Sequence, residues 1–423
     1  MSSRKQAVRV LHIVALHGIG GVETLFHSYL AQAGAKSLEH HVLVRHGLCH
    51  PNLAAGVHLY AASVSCAQYW HGLRIPPWPR ALRASHFHSI LDRIKPEVIV
   101  LYDALSNAKL WAAIRNSPAK KVHYEHGAAW TTHFKPALAE HLANVDLVLC
   151  NSYATRRMLE LRWGLRPGVA RVVLNPLRSE IAAEQVEPKR LDPRRPLRLG
   201  LAGRMISYKG FPLALQALRL LRDKGIDCTL DIAGAGVDEP RLRALVARLD
   251  LETHVRFLGL VHDMVRFYRE IDLFLFPSVR EPLGNVAVEA GYMACPVICA
   301  AVDGIPEVVL DGRTGYCITP SLPVEKYAEL GGSATGLPAL VYDPARDTLT
   351  PPQLIDPEAI AEKVAFLHQH PEVFSAMSAA AHQHISSAFT MRDYAREINR
   401  AIFTAAGYQA GEPPLERLST ESV

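Results

Sequence analysis

The chain has 423 residues, too many for one hydrophobic core and enough for two or three domains. Hydrophobic residues make up 49% and charged residues 21%, the balance of an ordinary globular protein rather than a disordered or fibrous one. The formal net charge of +5 is small for this length and gives no support to nucleic-acid binding. It is compatible with anionic small ligands or an anionic membrane surface.

The sequence also predicts the cellular compartment. No apolar stretch reaches the roughly 18 uncharged residues that a membrane-spanning helix needs. The first residues lack the long apolar region and small-residue cleavage site of a signal peptide. Seven cysteines without a C-x-x-C pair favour a reducing compartment. We therefore expect a cytoplasmic protein and leave open a peripheral attachment to the inner face of a membrane.

The first half begins with a strand, a glycine turn and a helix. Residues 8–16 form an apolar run, residues 18–21 are glycine-rich, and residues 22–30 have helical spacing. This order starts a doubly wound sheet, and Gly20 and Gly21 would let a ligand approach the backbone. Glu23 stands where a dinucleotide fingerprint needs its third glycine, so NAD binding is disfavoured. A tight turn without a ligand is the alternative.

Further apolar runs continue the first sheet. They lie at residues 41–44, 98–102, 121–127, 146–150 and 171–176. His126 falls near the end of the third of these runs, and open α/β sheets bind ligands at the carboxyl ends of their strands. His126 is therefore a candidate site residue, and a structural histidine with its hydrogen bonds satisfied is the alternative.

The second half repeats the pattern after a charged, proline-containing stretch. Its strands are predicted at residues 197–202, 228–234, 254–258, 271–276 and 296–300. Two β/α series joined by a linker predict two Rossmann-like domains that face a central cleft. The predicted boundaries are 1–177 for the first domain, 178–196 for the linker, 197–388 for the second domain with an inserted loop at 320–352, and 408–423 for a disordered tail.

The stretch from Glu281 to Glu289 reads as the loop and helix that follow a buried strand. Glu289 lies among apolar neighbours, and an unpaired carboxylate there would cost several kcal/mol. A ligand would serve as its partner, because a carboxylate can accept both protons of a ribose diol. The backbone N–H groups of Gly284 and Asn285, at the helix start, can receive an anion.

Arg204 and Lys209 lie in one loop after the first strand of the second half. An anionic ligand brings negative charge, which either a bound cation or fixed positive groups can stabilise. No aspartate pair of D-x-D type follows a predicted strand, and the histidine clusters lack metal-ligand spacing. We therefore expect fixed cations, no divalent metal and no cofactor.

These residues carry a family resemblance. Several short motifs occur in order at fitting spacings: Gly203-Arg204 with Lys209-Gly210, Gly234-Ala-Gly236, Phe257-Leu-Gly259, Pro277-Ser278, and Glu281 with Glu289. The chain resembles the GT-B fold, retaining, nucleotide-sugar-dependent glycosyltransferases of family 4. The likeness is continuous over about 197–320 and looser in the first half, where it rests on the glycine loop, His126-Gly127, Ser152 and Asn175-Pro176.

The resemblance implies roles for the charged residues. Glu289 would hold the donor ribose, and Glu281 would contact sugar hydroxyls. Arg204 and Lys209 would hold the diphosphate. His126 would lie beside the anomeric carbon, and it joins Glu281, Arg204 and Lys209 as the catalytic set.

The resemblance implies further donor contacts. Gly259 and Val261 would meet the base, and Gly20 and Gly21 would line the donor phosphate and acceptor side. Four residues complete the donor-binding set: Gly203, Leu283, Gly284 and Asn285. Two positions depart from the family pattern, since Asn285 replaces a larger apolar residue and Ala294 replaces a glycine. The last helix, in residues 389–407, would return to the first domain.

The implied activity is that of a retaining hexosyltransferase in polysaccharide, lipopolysaccharide or glycolipid biosynthesis. It would move a sugar from a nucleotide-sugar donor to a glycan or lipid-linked acceptor. Two alternatives stay open: a GT-B epimerase or phosphorylase, and a non-catalytic nucleotide-sugar binding protein.

Residues 69–83 mix tryptophan, tyrosine and arginine. Such a mixture suits contact with an anionic membrane, the expected partner surface if the acceptor is lipid-linked. A proline-rich surface loop with packed tryptophans is the alternative.

Overall fold

The computed structural model describes residues 7–18, 20–33, 37–45, 49–103, 105, 107–131, 136–192 and 194–408. These residues divide into two compact units. The first unit comprises residues 7–151, 159–174 and 391–408, and the second comprises residues 152–158 and 175–390. Apart from Tyr408, the predicted tail lies outside the described residues.

The strands and helices are numbered in chain order. The strands are β1 Val8–Val14, β2 Leu38–Val44, β3 Ser63–Cys66, β4 Tyr69–Trp70, β5 Leu73–Arg74, β6 Val98–Tyr102, β7 Lys120–Glu125, β8 Leu147–Cys150, β9 Ala170–Val172, β10 Leu197–Ala202, β11 Cys228–Ala233, β12 Val255–Gly259, β13 Leu273–Phe276, β14 Val297–Ala300, β15 Gly315–Ile318, β16 Leu322–Pro323, β17 Val341–Asp343, β18 Thr348–Thr350 and β19 Gln353–Leu354. The helices are α1 Gly21–Gln32, α2 Pro51–Tyr60, α3 Arg80–Ile94, α4 Ala108–Ile114, α5 Pro136–Asn144, α6 Tyr153–Trp163, α7 Ser179–Ala182, α8 Phe211–Asp223, α9 Glu239–Arg248, α10 Met264–Glu270, α11 Asn285–Tyr292, α12 Ile305–Val308, α13 Pro357–Gln369, α14 Pro371–Ala388 and α15 Met391–Ala405.

The first unit is built on a parallel sheet. Within its described residues the strand order is β3-β2-β1-β6-β7-β8-β9. Side chains alternate between the two faces of a strand, so β1 sends Val10 to a core under α1, α2 and α15. The same strand sends Leu11 to a core under α3 and α4. Helix α15 is fixed to α1 by the Tyr29 hydroxyl, which donates to Asn399 Oδ1 at 2.7 Å.

The second unit repeats this arrangement. Its described strands form a parallel sheet in the order β12-β11-β10-β13-β14-β15. Strand β10 lies where the sequence predicted it, and its residues 199–202 are buried. Helix α8 is amphipathic, with Leu213, Leu215, Leu218 and Leu221 fully buried. Two parallel α/β units confirm the predicted fold class.

The segment expected to be a linker contains structure of its own. Residues 178–192 fall in the second unit, and α7 lies within them. The ammonium of Lys189 donates to the carbonyl oxygens of Tyr268, Arg269 and Ile271 at 2.8–3.1 Å. Its backbone N–H donates to Ser378 Oγ at 2.7 Å. The charge and proline content of this stretch favoured a linker. The sequence did not predict the anchoring, because Lys189 binds backbone carbonyl groups, which no sequence pattern marks.

The stretch 320–352, predicted as an inserted loop, contains short elements of secondary structure. It contains β16, β17, β18 and a 3₁₀ turn at Val324–Tyr327. Tyr327 is fully buried, and its hydroxyl donates to the carbonyl of Ser207 at 2.6 Å. The segment therefore supports the loop that carries Lys209. Strands of two or three residues are too short to show a period in the sequence.

Candidate functional site

Glycines shape the loops at the carboxyl edge of the second sheet. Gly203 and Gly234 follow β10 and β11 with φ angles of +149° and +132°. A Cβ on Gly234 would lie 1.9 Å from the Gly203 carbonyl oxygen, and one on Gly210 would lie 1.9 Å from that of Pro277. The backbones approach too closely for any side chain. These contacts fix the loop of residues 203–210 against the end of β13.

Lys209 and Glu281 meet at this edge. The Lys209 ammonium is hydrogen-bonded to Glu281 Oε2, and the two side chains are 16% and 12% exposed. The N–H of Glu281 donates to Asp303 Oδ2 at 2.9 Å. The other oxygen of Asp303 accepts the N–H of Tyr342 at 2.7 Å. Buried Asp303, which the sequence analysis did not select, thus positions Glu281; its place after β14, next to Gly304, is the signal that could have found it.

Arg204 differs from Lys209 in its surroundings. Its side chain is exposed, and its Nη2 donates to the Tyr208 hydroxyl at 3.3 Å. Lys209 instead lies 5.7 Å from the centre of the Phe276 ring. One loop therefore carries a paired cation and a solvated one, and an arriving anion meets the arginine without displacing a carboxylate.

The start of α11 lies next to these residues in the chain. Gly284 caps the helix with a φ of +103°, and a Cβ there would lie 2.7 Å from the Phe276 ring. Asn285 accepts a hydrogen bond from Asn175 Nδ2 through its Oδ1 at 3.2 Å. Leu283 is 1% exposed, so the residue is buried in this structure, and its contact with a donor stays a prediction. Gly259 has a φ of +66°, and Val261 is partly buried.

Glu289 is already paired within the chain. Its Oε1 contacts Arg178 Nε at 2.7 Å, and its Oε2 accepts the Tyr268 hydroxyl at 3.0 Å. The chain itself therefore supplies the partners that the sequence analysis expected from a ligand, and the contact of Glu289 with a donor ribose stays a prediction. The partner, Arg178, comes from the stretch predicted to be a linker. Burial raises the pKa of Glu289 above its ordinary value, while Arg178 and Tyr268 oppose that rise.

A cavity of about 560 Å³ lies beside this pair. Arg178 forms part of its wall, together with His262, Arg266 and Arg269. His262 follows Val261, one of the residues expected to meet the base. A volume of this size falls in the range of small-molecule sites.

The first unit holds the other predicted site residues. Gly20 caps α1 in extended backbone, Gly21 begins the helix, and both are exposed. Ile19, between the glycines of the turn, lies outside the described residues. A Cβ on Gly20 would meet only the flexible Glu23 carboxylate, at 2.5 Å. No backbone clash imposes a glycine at position 20.

His126 lies directly after β7, next to Asp103 at the end of the neighbouring strand β6. Its backbone N–H donates to Asp103 Oδ1 at 2.9 Å, and its Nδ1 lies 3.3 Å from the same oxygen. Burial disfavours the charged form of Asp103, yet the charge and hydrogen bonds of His126 keep its pKa below the ordinary value. Asp103 was not among the predicted site residues, although its position as a polar residue directly after a buried strand is a signal for such a site.

Glu125 supports the turn that carries His126. Its Oε1 accepts the N–H groups of Gly127 and Ala129, both at 2.9 Å, and its side chain is fully buried. Burial, reinforced by the charge of Asp103, raises the pKa of Glu125 to about 7. The Glu125 carboxylate therefore holds the turn after β7 through hydrogen bonds to its backbone N–H groups.

Histidines that lie close together in the sequence have partners within the chain, as His40 and His86 show. His40 Nδ1 lies 2.9 Å from Nε2 of His12 in the core, and burial lowers the pKa of His40 to about 4. His86 Nε2 lies 3.1 Å from the carbonyl oxygen of Tyr69. Among the residues that the structure describes, no group of three or more His, Cys, Asp or Glu side chains is placed to hold a metal ion.

Residues 69–83 expose their apolar side chains. Strands β4 and β5 form a hairpin in which Trp70 and Leu73 are 63% and 77% exposed. Trp78 is 79% exposed just before α3. The alternative of packed tryptophans is therefore wrong. In the described part of the chain, no helix combines the length and apolar character needed to cross a bilayer.

Two family profiles match the chain in succession. Residues 19–181 match the family described as Glycosyltransferase Family 4. Residues 196–330 match the family described as Glycosyl transferases group 1. The first range contains His126, and the second contains the stretch from Arg204 to Glu289.

Curated relatives match over a shorter region. The chain is 30% identical over 125 residues to the capsular polysaccharide biosynthesis glycosyltransferase CapM of Staphylococcus aureus, covering 28% of this chain and 32% of the relative. It is 38% identical over 131 residues to the D-inositol 3-phosphate glycosyltransferase of Mycobacterium sp. strain KMS, covering 30% of each. The chain thus spans about a third of the length of these curated relatives.

A solved structure matches over nearly the whole chain. The chain is similar to Alr3699/HepE of Anabaena, solved in complex with UDP and glucose, with a TM-score of 0.67 and 17% identity. The match covers 94% of this chain and 100% of that chain. At this identity the likeness shows the fold, and with the two parallel sheets it confirms a two-unit GT-B fold.

The pairing of Arg178 with Glu289 predicts a pH-dependent stability. Because Arg178 lowers the pKa of Glu289, Arg178→Ala should raise it further in the folded protein. A carboxyl group whose pKa is raised in the folded state stabilises the folded protein at low pH. That contribution to the free energy of unfolding is lost as the pH rises through the raised pKa. We expect Arg178→Ala to lower the free energy of unfolding by about 2 kcal/mol at pH 8, less than for a fully buried pair because the Arg178 side chain is 44% exposed, and by a smaller amount at pH 5.

Urea unfolding at both pH values measures this effect. Arg269→Ala is the control, since Arg269 lines the same cavity but pairs with Glu184 at the surface. It should cost about 1 kcal/mol or less. Equal losses at pH 5 and pH 8 for Arg178→Ala would contradict the role given to Glu289.

Proposed function

We propose that the chain transfers a sugar from a nucleotide-sugar donor to a glycan or lipid-linked acceptor, because two successive segments match the families described as Glycosyltransferase Family 4 and Glycosyl transferases group 1. The observation that carries this proposal is the arrangement of Arg204, Lys209 and Glu281 at the carboxyl edge of the second sheet. Its glycine-shaped loop holds two cations, and Asp303 positions the carboxylate. The similarity to a capsular polysaccharide glycosyltransferase favours a role in polysaccharide or lipopolysaccharide biosynthesis.

The donor nucleoside would occupy the cavity beside Arg178. Glu289 lies behind Arg178, and its carboxylate suits a ribose diol once the guanidinium moves aside. The backbone at Gly259 and Val261 leads into the loop that forms another part of the wall. Since the Anabaena protein was solved with UDP and glucose, UDP-sugars are the first donors to test.

The leaving diphosphate would be stabilised by fixed groups of the chain. Arg204 offers a planar fork for two phosphate oxygens, and Lys209 adds a point charge. The start of α11 contributes roughly half a positive charge. We propose that this set replaces a divalent metal.

Retention of the donor's anomeric configuration is also proposed, on the family resemblance. The assay is transfer from a UDP-sugar, with UDP release followed in solution and the first product examined by proton NMR. We expect UDP release that depends on an acceptor and a product with the donor's configuration. An inverted product would refute retention, and no release with any nucleotide sugar would refute the transferase.

Lys209→Ala tests the role of the fixed cations. Stabilisation that grows toward the transition state should affect turnover more than donor affinity. We expect kcat to fall by about 100-fold or more, as when one donor to a developing anion is removed. Donor affinity should fall by less than about 10-fold.

Lys224→Ala is the matched control. Lys224 also pairs with a glutamate, but it lies on the surface at the carboxyl end of α8. All rates are measured in excess EDTA. Equal losses in kcat and affinity would contradict the role of Lys209, and activity that EDTA abolishes and magnesium restores would contradict the metal-free site.

A lipid-linked acceptor would bring the protein to a membrane, and residues 69–83 are proposed as the contact. The exposed Trp70, Leu73 and Trp78 would enter the interface, and the exposed Arg74 and Arg80 would meet anionic headgroups. We expect co-sedimentation with vesicles containing phosphatidylglycerol and little with phosphatidylcholine alone.

The triple replacement of Trp70, Leu73 and Trp78 by serine should abolish that binding. Leu59→Ser is the control, because Leu59 is also 77% exposed in the first unit but lies on α2. Binding that survives the triple replacement, or that Leu59→Ser reduces equally, would exclude residues 69–83 as the contact.

A further inference from the structure

The first unit contains an aspartate–histidine pair that the sequence motifs do not mark. Asp103 and His126 follow neighbouring strands β6 and β7, which run parallel with Tyr102 opposite Tyr124. Asp103 Oδ1 receives the His126 backbone N–H at 2.9 Å and lies 3.3 Å from its Nδ1. Asp103 adopts a φ of +45°, a left-handed conformation in which aspartate is enriched and which Asp250, Asp303 and Asp347 also adopt.

This geometry selects one form of the imidazole. A carboxylate oxygen accepts hydrogen bonds and cannot donate them when ionised, so Nδ1 must carry the proton. In the neutral ring Nε2 is then an acceptor. Asp103 is well suited to remain ionised, because its side chain is 36% exposed and its bonds with His126 hold its pKa below the ordinary value.

Nε2 of His126 has no partner among the residues that the structure describes. The side chain is 6% exposed, so bulk water does not solvate this nitrogen freely. A buried acceptor without a partner is unfavourable. An unsatisfied nitrogen on a ring that is held through its other nitrogen points to a donor supplied by a ligand.

Aromatic side chains pack around the His126 ring. Tyr124 lies 4.0 Å from it between ring centres, and Tyr102 lies 6.4 Å away. Tyr394 of α15 stacks behind Tyr124 at 6.4 Å. Four titratable groups lie around the His126 ring: Asp103, Glu125, His123 and, after β2, Arg45. Asp103 is the one that bonds directly to the ring.

We propose that Asp103 is a positioning residue that holds His126 with Nδ1 protonated and Nε2 free to accept a hydrogen bond from a sugar hydroxyl. The identity of that ligand class rests on the proposed function, whereas the state of the ring does not. No bond is made or broken in this role. Protonation of Nε2 removes the acceptor, so transfer is lost at low pH.

The pH profile separates this role from a structural one. The negative charge of Asp103 stabilises the imidazolium, so removing the charge favours the neutral ring. In Asp103→Asn the amide oxygen still accepts both hydrogen bonds of His126. The acidic limb of kcat should therefore move to lower pH, while turnover above the limb stays within a few-fold of wild type.

Asp103→Leu removes the acceptor altogether. We expect kcat to fall at least 10-fold, with a smaller change in the KM of the donor, because the ring is no longer held in one state. Asp92→Asn on the exposed face of α3 is the control and should leave the profile unchanged. An unshifted limb in Asp103→Asn, or full turnover in Asp103→Leu, would overturn the proposal.

A second measurement does not depend on activity. Long-range ¹H–¹⁵N correlation spectra of the ¹⁵N-histidine-labelled full chain report which ring nitrogen carries the proton, and His126→Gln assigns the signal. We expect protonated Nδ1 in the wild type and in Asp103→Asn, and a mixture in Asp103→Leu. Protonated Nε2 in the wild type would refute the inference even if transfer is observed. The expected spectra without any transfer would leave the pair in place and refute the proposed function instead.

Discussion

A carboxylate that is removed from water needs hydrogen bonds or an opposite charge in place of its hydration. The second unit is arranged around two such carboxylates, each paired with a cation. Glu289 is 5% exposed and receives Arg178 and Tyr268. Glu281 is 12% exposed and receives Lys209, while Asp303 holds its backbone. These pairs fix the loop after β10, the start of α11 and the segment at Arg178 relative to one another. The groups proposed to bind donor are therefore positioned before a donor arrives, at the cost of partners that it must displace.

The first unit uses the same edge of its sheet in a different way. Asp103 and Glu125 are acceptors that bind protein N–H groups and the His126 ring rather than a lysine or arginine. Their effect is to fix one turn and one imidazole. In both units, parallel strands bring side chains from distant parts of the sequence to one edge, which is why residues such as Asp103 and His126 meet.

Strands, helices and short motifs were predictable because their periods and glycines are local. β10 and β6 occupy the predicted residues, and the loop with Lys209 follows as expected. Partners were not predictable, because Arg178 and Asp303 reach Glu289 and Glu281 from distant segments that carry no motif. Ala294 stands where the resemblance implies a glycine, and its φ of +56° shows that the left-handed conformation is kept with alanine in place.

The loop that carries Arg204 and Lys209 is proposed to bind a nucleoside diphosphate. Isothermal titration of the full chain with uridine, UMP and UDP in EDTA measures this binding, because each step adds one phosphate. We expect UDP to bind at least about 10-fold more tightly than UMP, the equivalent of one charge-assisted hydrogen bond. Equal affinities for all three, with no tighter binding of GDP or ADP over their monophosphates, would show that the loop does not bind the diphosphate.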